Sequence, residues 1–96
     1  MHDIPEEGRL IGLDVGGKRI GVAVSDEGQI LSSPLGMVES GKRAIAEIGR
    51  IAQETGAVAI VAGLPTGMSG REGAQAAEPR RFADLVGDTL DLPLSY

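Results

Sequence analysis

The chain has 96 residues, a formal net charge of −5 and no cysteine. One small domain is therefore expected, and a disulfide framework, a thiolate zinc site and a cysteine nucleophile are excluded. The acidic balance argues against a large non-specific nucleic-acid-binding surface, and no apolar run approaches the roughly 18 residues that span a membrane. Residues 1–8 lack the apolar region of a signal peptide and are expected to form a mobile N-terminal arm before one domain over 9–96.

The first half of the chain predicts three strands. Residues 9–15 form a short apolar run of the buried type, and residues 20–25 predict a second strand paired antiparallel with the first through a tight turn. Residues 29–39 predict a third strand, in which Pro34 indicates an edge position or a β-bulge. A hairpin followed by a third strand is thus expected before any helix.

The hydrophobic period changes to that of a helix over residues 41–55, and Gly56 follows as an expected C-cap. Residues 57–62 are apolar on both faces, which is typical of a covered strand parallel to its neighbours. A capping box at Ser69 and Glu72 predicts the start of a second helix.

The second helix is expected to reach about residue 90, and Pro79 is expected to kink it or restart it. Its inward residues are predicted to be Ala74, Ala77, Phe82, Leu85 and Val86. Residues 92–96 begin a fifth strand. The order β-β-β-α-β-α-β predicts an α/β fold, a mixed sheet with helices on its faces.

Asp14 is the first candidate for chemistry, because it ends an apolar strand where a buried carboxylate would be costly without a partner. Alternation places Gly12 and Asp14 on one face of their strand and Gly21 and Ala23 on one face of the next. If the hairpin register joins these faces, small side chains surround the carboxylate and a polyanion with its metal can approach. The alternative is that Asp14 starts a turn and accepts backbone hydrogen bonds. The residues alone leave both interpretations open.

The hairpin turn supplies four candidate phosphate contacts, Gly16, Gly17, Lys18 and Arg19. Lys18 and Arg19 are a few residues from Asp14, and cationic side chains commonly contact phosphates. The glycines have a purely structural explanation as well, since such turns need positive φ angles. Both interpretations can hold together.

A second candidate phosphate site is the loop that begins at Gly63, contains Pro65 and runs to Gly70. Ligands of open α/β sheets bind beyond the carboxyl ends of the strands, and a helix N-terminus can hold an anion. The loop is not a Walker A motif, because no Gly-Lys-Ser/Thr follows. A plain turn with a helix cap is the alternative.

The segment from Leu10 to Asp26, LIGLDVGGKRIGVAVSD, resembles the opening of one bacterial family, the pre-16S ribosomal RNA nucleases, also described as Holliday-junction resolvases. The segment from Gly63 to Glu72, GLPTGMSGRE, is similar to the second landmark of that family. The resemblance extends over nearly the whole chain from about residue 9.

This resemblance implies a ribonuclease H-like fold and divalent-metal-dependent hydrolysis of phosphodiester bonds. Asp14 matches the first acidic position of the family and Gly16 the glycine two residues later. The implied cofactor is Mg²⁺ or Mn²⁺, which would generate a hydroxide nucleophile and stabilise the departing oxygen. The implied partner is nucleic acid: the 5′ end of pre-16S rRNA in the cytoplasm, with a Holliday junction as the alternative.

The family pattern continues past the fifth strand with an Asp-Glu-Arg-x-Thr-Thr motif and a helix that carries a last aspartate. Neither is present in the 96 residues, so the fold is expected to be truncated at the fifth strand. Asp26, Glu39 and Glu72 are better explained as turn or cap residues than as substitutes. We therefore expect little or no nuclease activity from these residues alone.

Two other classes stay open. The missing acids favour a non-catalytic remnant that binds nucleic acid or protein, and a related fold with a similar Asp-x-Gly hairpin allows a nucleotide-binding module. A short fifth strand also exposes a sheet edge, which allows a homodimer.

Overall fold

The computed structural model of the protein describes residues 4–16, 18–41, 43–63 and 73–96, and for residues 73–79 it describes the backbone alone. The fold begins with two apolar strands joined as a hairpin. Within the described residues the elements follow the predicted order, and their bounds are β1 Leu10–Val15, β2 Arg19–Ser25, β3 Ser32–Glu39, α1 Ala44–Thr55, β4 Ala59–Gly63, α2 Gly73–Leu90 and β5 Leu94–Ser95.

The strands form one mixed sheet in the order β3-β2-β1-β4-β5. β1 and β2 are antiparallel, as are β2 and β3, whereas β4 runs parallel to both β1 and β5. The predicted hairpin and the predicted parallel strand are both confirmed. β4 lies between two parallel neighbours, which is the environment that its apolar run indicated.

β3 lies at one edge of the sheet and carries a bulge. The register with β2 shifts between Val22, which pairs with Gly36, and Ala23, which pairs with Pro34, so Leu35 is the extra residue. Both expectations attached to Pro34 are confirmed, since an edge position tolerates its missing N–H. The strand begins at Ser32, later than expected, because the preceding residues form a turn in which the Asp26 carboxylate accepts a 2.9 Å hydrogen bond from the Ile30 N–H.

The hydrophobic core lies on one face of the sheet, under both helices. It comprises Ile11, Leu13 and Val15 of β1, Ile20 and Val22 of β2, Ile60 and Ala62 of β4, Ala44, Ile48 and Ala52 of α1, Ala83 and Val86 of α2, and Leu94. Alternation along β1 therefore turns Gly12 and Asp14 to the opposite face. In the part of the chain that is described, no helix covers that face.

α1 begins at Ala44, three residues later than expected, and ends at Gly56 in a left-handed conformation with φ 70°. The N–H of this cap donates to the Ala52 carbonyl, so the predicted C-cap is confirmed.

α2 runs without a break through Pro79, so the helix does not restart there. Val86 is buried and Phe82 packs at the rim of the core, as predicted. Leu85 was predicted to face inward and this is wrong, because its side chain is 53% exposed. The buried stripe is centred on Ala83 and Val86, and one residue of helix turns Leu85 about 100° away from Val86. Four residues named for this helix and its cap, Ser69, Glu72, Ala74 and Ala77, lie outside the described side chains.

The N-terminal segment is tied to the β2–β3 turn over the residues that can be described. The Gln29 side-chain amide donates to the carbonyl oxygens of Pro5 and Gly8, at 2.8 and 3.1 Å. The Gly8 N–H donates to the Glu27 carbonyl at 2.8 Å. These bonds hold part of the segment over 1–8 that was expected to be mobile. None of the helices described is long and apolar enough to cross a membrane.

Tyr96 joins the end of the chain to α2. Its hydroxyl donates to the Asp84 carboxylate and lies 3.1 Å from the Arg80 carbonyl oxygen, while the Arg80 guanidinium stands 4.5 Å from the centre of the ring. Burial, the hydrogen bond to Asp84 and the negative charge of Asp84 raise the pKa of Tyr96 to about 12 from 10.0.

We expect the phenol to titrate near pH 12, and Asp84→Asn to return its pKa toward 10.0. The chain has one tyrosine and no tryptophan, so tyrosinate absorbance reports this group alone. The raised pKa means that its contribution to stability is complete below pH 10 and is lost as the pH rises through about 12. Asp88→Asn is the control, and an unchanged pKa in Asp84→Asn would contradict the assignment.

Candidate active site

Asp14 and the residues paired with it on neighbouring strands form a line across four strands of the sheet, which we call a row. Asp14 pairs with Gly21 on β2 and with Gly63 on β4, and Gly21 pairs in turn with Met37 on β3. Both direct neighbours of Asp14 are therefore glycines, and the side chain is exposed on the face away from the helices. The hairpin register thus joins the face of Asp14 to that of Gly21, which was the condition for small residues to surround the carboxylate.

The adjacent row contains only small or apolar residues. Gly12 pairs with Ala23 on β2 and with Val61 on β4, and Ala23 pairs with Pro34 on β3. These two rows line an open cavity of about 470 Å³. Asp14 is the single charged residue among the described residues that line it.

The two glycines beside Asp14 keep the carboxylate accessible. A Cβ at Gly21 would lie 3.5 Å from the Asp14 Cβ, and one at Gly63 would lie 3.6 Å from the Leu13 carbonyl oxygen. Those are ordinary contacts, so the backbone does not demand glycine at either position. Larger side chains in this row would stand beside the carboxylate and occupy the space that a phosphate needs.

The hairpin turn lies just beyond Asp14. The Gly16 N–H donates to the Arg19 carbonyl at 3.0 Å, and a Cβ at Gly16 would lie 2.8 Å from that oxygen. Glycine is thus required at this position by the turn itself. Lys18 and Arg19 are exposed, and alternation from Gly21 places Arg19 on the same sheet face as Asp14.

Asp14 is the one carboxylate that this site offers to a metal ion, among the residues that the structure describes. Within the described residues, no group of three or more acidic or histidine side chains could hold a metal ion. A single exposed carboxylate is nevertheless a suitable oxygen ligand, since Mg²⁺ is often held by one or two carboxylates and keeps several waters. The chemistry of Asp14 fits such an ion as one ligand of a weak site.

The structure brings Asp14 and Gly63 side by side and places Lys18 and Arg19 at the adjoining turn. Gly17 and Pro65, the other residues predicted for phosphate contact, lie outside the described residues. Sequence reasoning missed Met37, Pro34 and Val61 as parts of the site. The sequence did indicate an edge position for Pro34. The bulge beside it interrupts the alternation of β3, however, so the sequence did not show which side chains of β3 share the sheet face of Asp14.

The strand order, the two helices on one face and the carboxylate on β1 define an α/β domain of the ribonuclease H-like class. Its distinguishing element is an exposed aspartate at the carboxyl end of a central strand. Comparison with known protein families then identifies the family within this class.

A family model described as "RuvX: Holliday junction resolvase" matches residues 8–96, and the chain belongs to this family. A Chloroflexus aggregans protein named "Putative pre-16S rRNA nuclease" is 42% identical over 90 residues, which are 92% of this chain and 63% of that relative. The chain thus spans less than two thirds of the relative that it matches.

Two solved structures share the fold. The structure of "T. thermophilus RuvC in complex with Holliday junction substrate" has a TM-score of 0.63 at 14% identity, and the match covers 92% of this chain and 65% of that one. A Listeria monocytogenes protein described as a "putative N-acetylmannosamine kinase" has a TM-score of 0.51 at 17% identity, over 90% of this chain and 33% of that one. At these identities the likeness concerns the fold alone.

Proposed function

We propose that this chain forms part of a nuclease that hydrolyses phosphodiester bonds with a divalent metal ion bound at Asp14. The observation that carries the proposal is the position of Asp14, exposed between Gly21 and Gly63 on the open face of a ribonuclease H-like sheet. The proposed substrate is pre-16S rRNA, as the name of the 42% identical relative suggests. We further propose that cleavage takes place at its 5′ end, in the cytoplasm.

Asp14 would hold a Mg²⁺ or Mn²⁺ ion, which when bound activates water and stabilises the departing oxygen. Gly21 and Gly63 leave room for the phosphate beside the carboxylate. Lys18 and Arg19 provide positive charge at the hairpin turn and would orient the backbone of the nucleic acid. Phosphate contacts of this kind position a substrate without reading its sequence, so they suit RNA and DNA equally.

Resolution of a Holliday junction is the second candidate, because that substrate is named both for the matching family and for the RuvC complex that shares the fold. The chemistry at Asp14 would be the same. The two candidate functions are separated by comparing the rates at which a protein of the relatives' full length cleaves a four-way DNA junction and a pre-16S rRNA leader. The homodimer and the low activity expected of these 96 residues stay predictions.

The metal site is tested by Mn²⁺ titration of the labelled chain. Paramagnetic Mn²⁺ is expected to broaden the amide signals of Gly12, Gly21 and Gly63, which surround Asp14. Asp14→Asn is expected to weaken the binding at least about tenfold, since even changes outside the ligand shell cost that much at metal sites.

Asp88→Asn is the matched control, because it removes the same charge from an exposed position on α2. It should leave the broadening at the three glycines unchanged. Equal broadening in the native chain and in Asp14→Asn would contradict the proposal.

A further inference from the structure

β5 is too short to hold the end of the chain in the sheet by backbone pairing alone. It pairs with β4 at two positions, Leu94 with Ile60 and Ser95 with Val61. The Ile60 N–H donates to the Pro93 carbonyl at 2.9 Å. Chain ends open easily unless other contacts tie them down. The direction in which the chain leaves β5 therefore depends on contacts beyond the strand.

Tyr96 makes such contacts one residue past the strand. Its hydroxyl donates to the Asp84 carboxylate, and its ring stacks on the Arg80 guanidinium, 4.5 Å from the ring centre. Both partners belong to α2, which packs on the core face of the sheet. A tyrosine side chain is rigid and loses little conformational entropy when it is held. The hydrogen bond between Tyr96 and Asp84, which we call the latch, thus fixes the backbone at the end of β5.

The register of the sheet places this end of the chain beside the candidate active site. The pairing of β5 with β4 reaches Val61, and two residues further along β4 Gly63 pairs with Asp14. A residue that follows Tyr96 in the line of β5 therefore falls in the row of Gly63 and Asp14. Alternation from the buried Leu94 puts its side chain on the face of Asp14, two strand spacings or roughly 10 Å away.

We propose that Tyr96 and Asp84 are positioning residues, whose hydrogen bond directs the chain beyond β5 to the side of Gly63 and so brings the next residues to the site of Asp14. The inference rests on the proposed function, because it gives the latch a part in completing the metal site. Neither residue touches the metal or the substrate, and both act through the chain that they direct. A lone carboxylate is a weak site for Mg²⁺, so an oxygen ligand delivered there would strengthen it.

The direction of the chain is tested with a nitroxide label on a single cysteine appended after Tyr96. The chain has no cysteine of its own, so the label occupies one position. Paramagnetic broadening of the amide signals then maps the residues near the label. Along β1 we expect the broadening to be strongest at Asp14 and to fall toward Leu10, and along β4 to be strongest at Gly63 and to fall toward Ala59.

Variants test whether the latch sets this direction. Tyr96→Phe keeps the ring and removes the hydroxyl, and Asp84→Ala removes the acceptor. Each is expected to speed hydrogen exchange of the Ile60 N–H roughly three- to tenfold, the effect of one hydrogen bond on an equilibrium, and to weaken the broadening at Gly63. The double variant should do no more than either single one, because both changes remove the same bond.

Asp88→Ala is the matched control, because it removes the same group from another exposed position on α2. It should change neither the hydrogen exchange nor the broadening. The broadening is measured without denaturant, where the folded form predominates, so a loss of stability alone would leave it unchanged.

Three results would overturn the inference. Broadening along β4 that is strongest at Ala59 would show that the chain leaves away from the site. Equal broadening at Gly63 in the native chain and in Asp84→Ala would show that the latch only stabilises the chain end. A double variant that exceeds both single ones would show that the hydroxyl and the carboxylate do not act through one bond.

The Mn²⁺ titration, made on the unlabelled chain, separates this inference from the proposed function. Mn²⁺ broadening that does not depend on Asp14, together with the expected pattern of the label, would reject the metal site and leave the direction of the chain as inferred. Asp14-dependent Mn²⁺ binding with any of the three overturning results would reject the latch alone.

Discussion

Replacing Ile60 by alanine is expected to lower the free energy of unfolding by about 2–5 kcal/mol. Ile60 is fully buried in β4, where it pairs with Ile11 on one side and Leu94 on the other. The hydrogen-bonded strands on both sides cannot collapse into the space that the side chain leaves. The loss is a large share of the roughly 5–15 kcal/mol that stabilises a domain.

Urea unfolding measures this effect, with Ile30→Ala as the control. Ile30 carries the same side chain but is 83% exposed in the turn before β3, so its loss should change stability by less than about 0.5 kcal/mol. Similar midpoints for the two variants would mean that β4 is not at the centre of the core.

Gly16→Ala is expected to destabilise the chain by about 1–3 kcal/mol, the usual cost of local backbone strain. The added Cβ would lie 2.8 Å from the Arg19 carbonyl oxygen, and this oxygen also accepts the hydrogen bond that closes the turn. Backbone atoms must move to relieve the contact. The displacement would also shift Arg19 relative to Asp14.

Gly12→Ala is the control, because its Cβ would meet only the Ala23 Cβ at 3.9 Å. This substitution should be neutral or stabilising by up to about 1 kcal/mol, since glycine within a strand is entropically costly. Thermal unfolding of both variants distinguishes steric strain at the turn from a general intolerance of larger residues in the hairpin.

Much of the hairpin and its site could be predicted from local pattern. Alternation along β1 separated Asp14 from the core residues Leu13 and Val15, and the face it predicted for Gly21 is the one observed. Such predictions succeed because the side-chain period of a strand is fixed by backbone geometry alone. The same reasoning located Gly56 as the cap of α1.

Other features depended on contacts between distant parts of the chain. Leu85 fits the helical period of α2 but is exposed, because the packing of α2 on the sheet centres the buried stripe on Ala83 and Val86. The bulge at Leu35 shifts the register of β3, and so the place of Met37 beside Gly21 could not be read from alternation.

The sequence by itself determined the element order, the family and the place of Asp14 near the end of the first strand. The tertiary structure decided what surrounds that carboxylate. Gly63 is 49 residues from Asp14 along the chain, and only the parallel pairing of β1 with β4 brings the two together. Over the described residues both helices pack on one face of the sheet and no helix covers the other, and no local period records that choice. The conformation of a single strand or helix follows from neighbouring residues. Strand register, and the sheet face on which a helix packs, follow from the burial of the whole core.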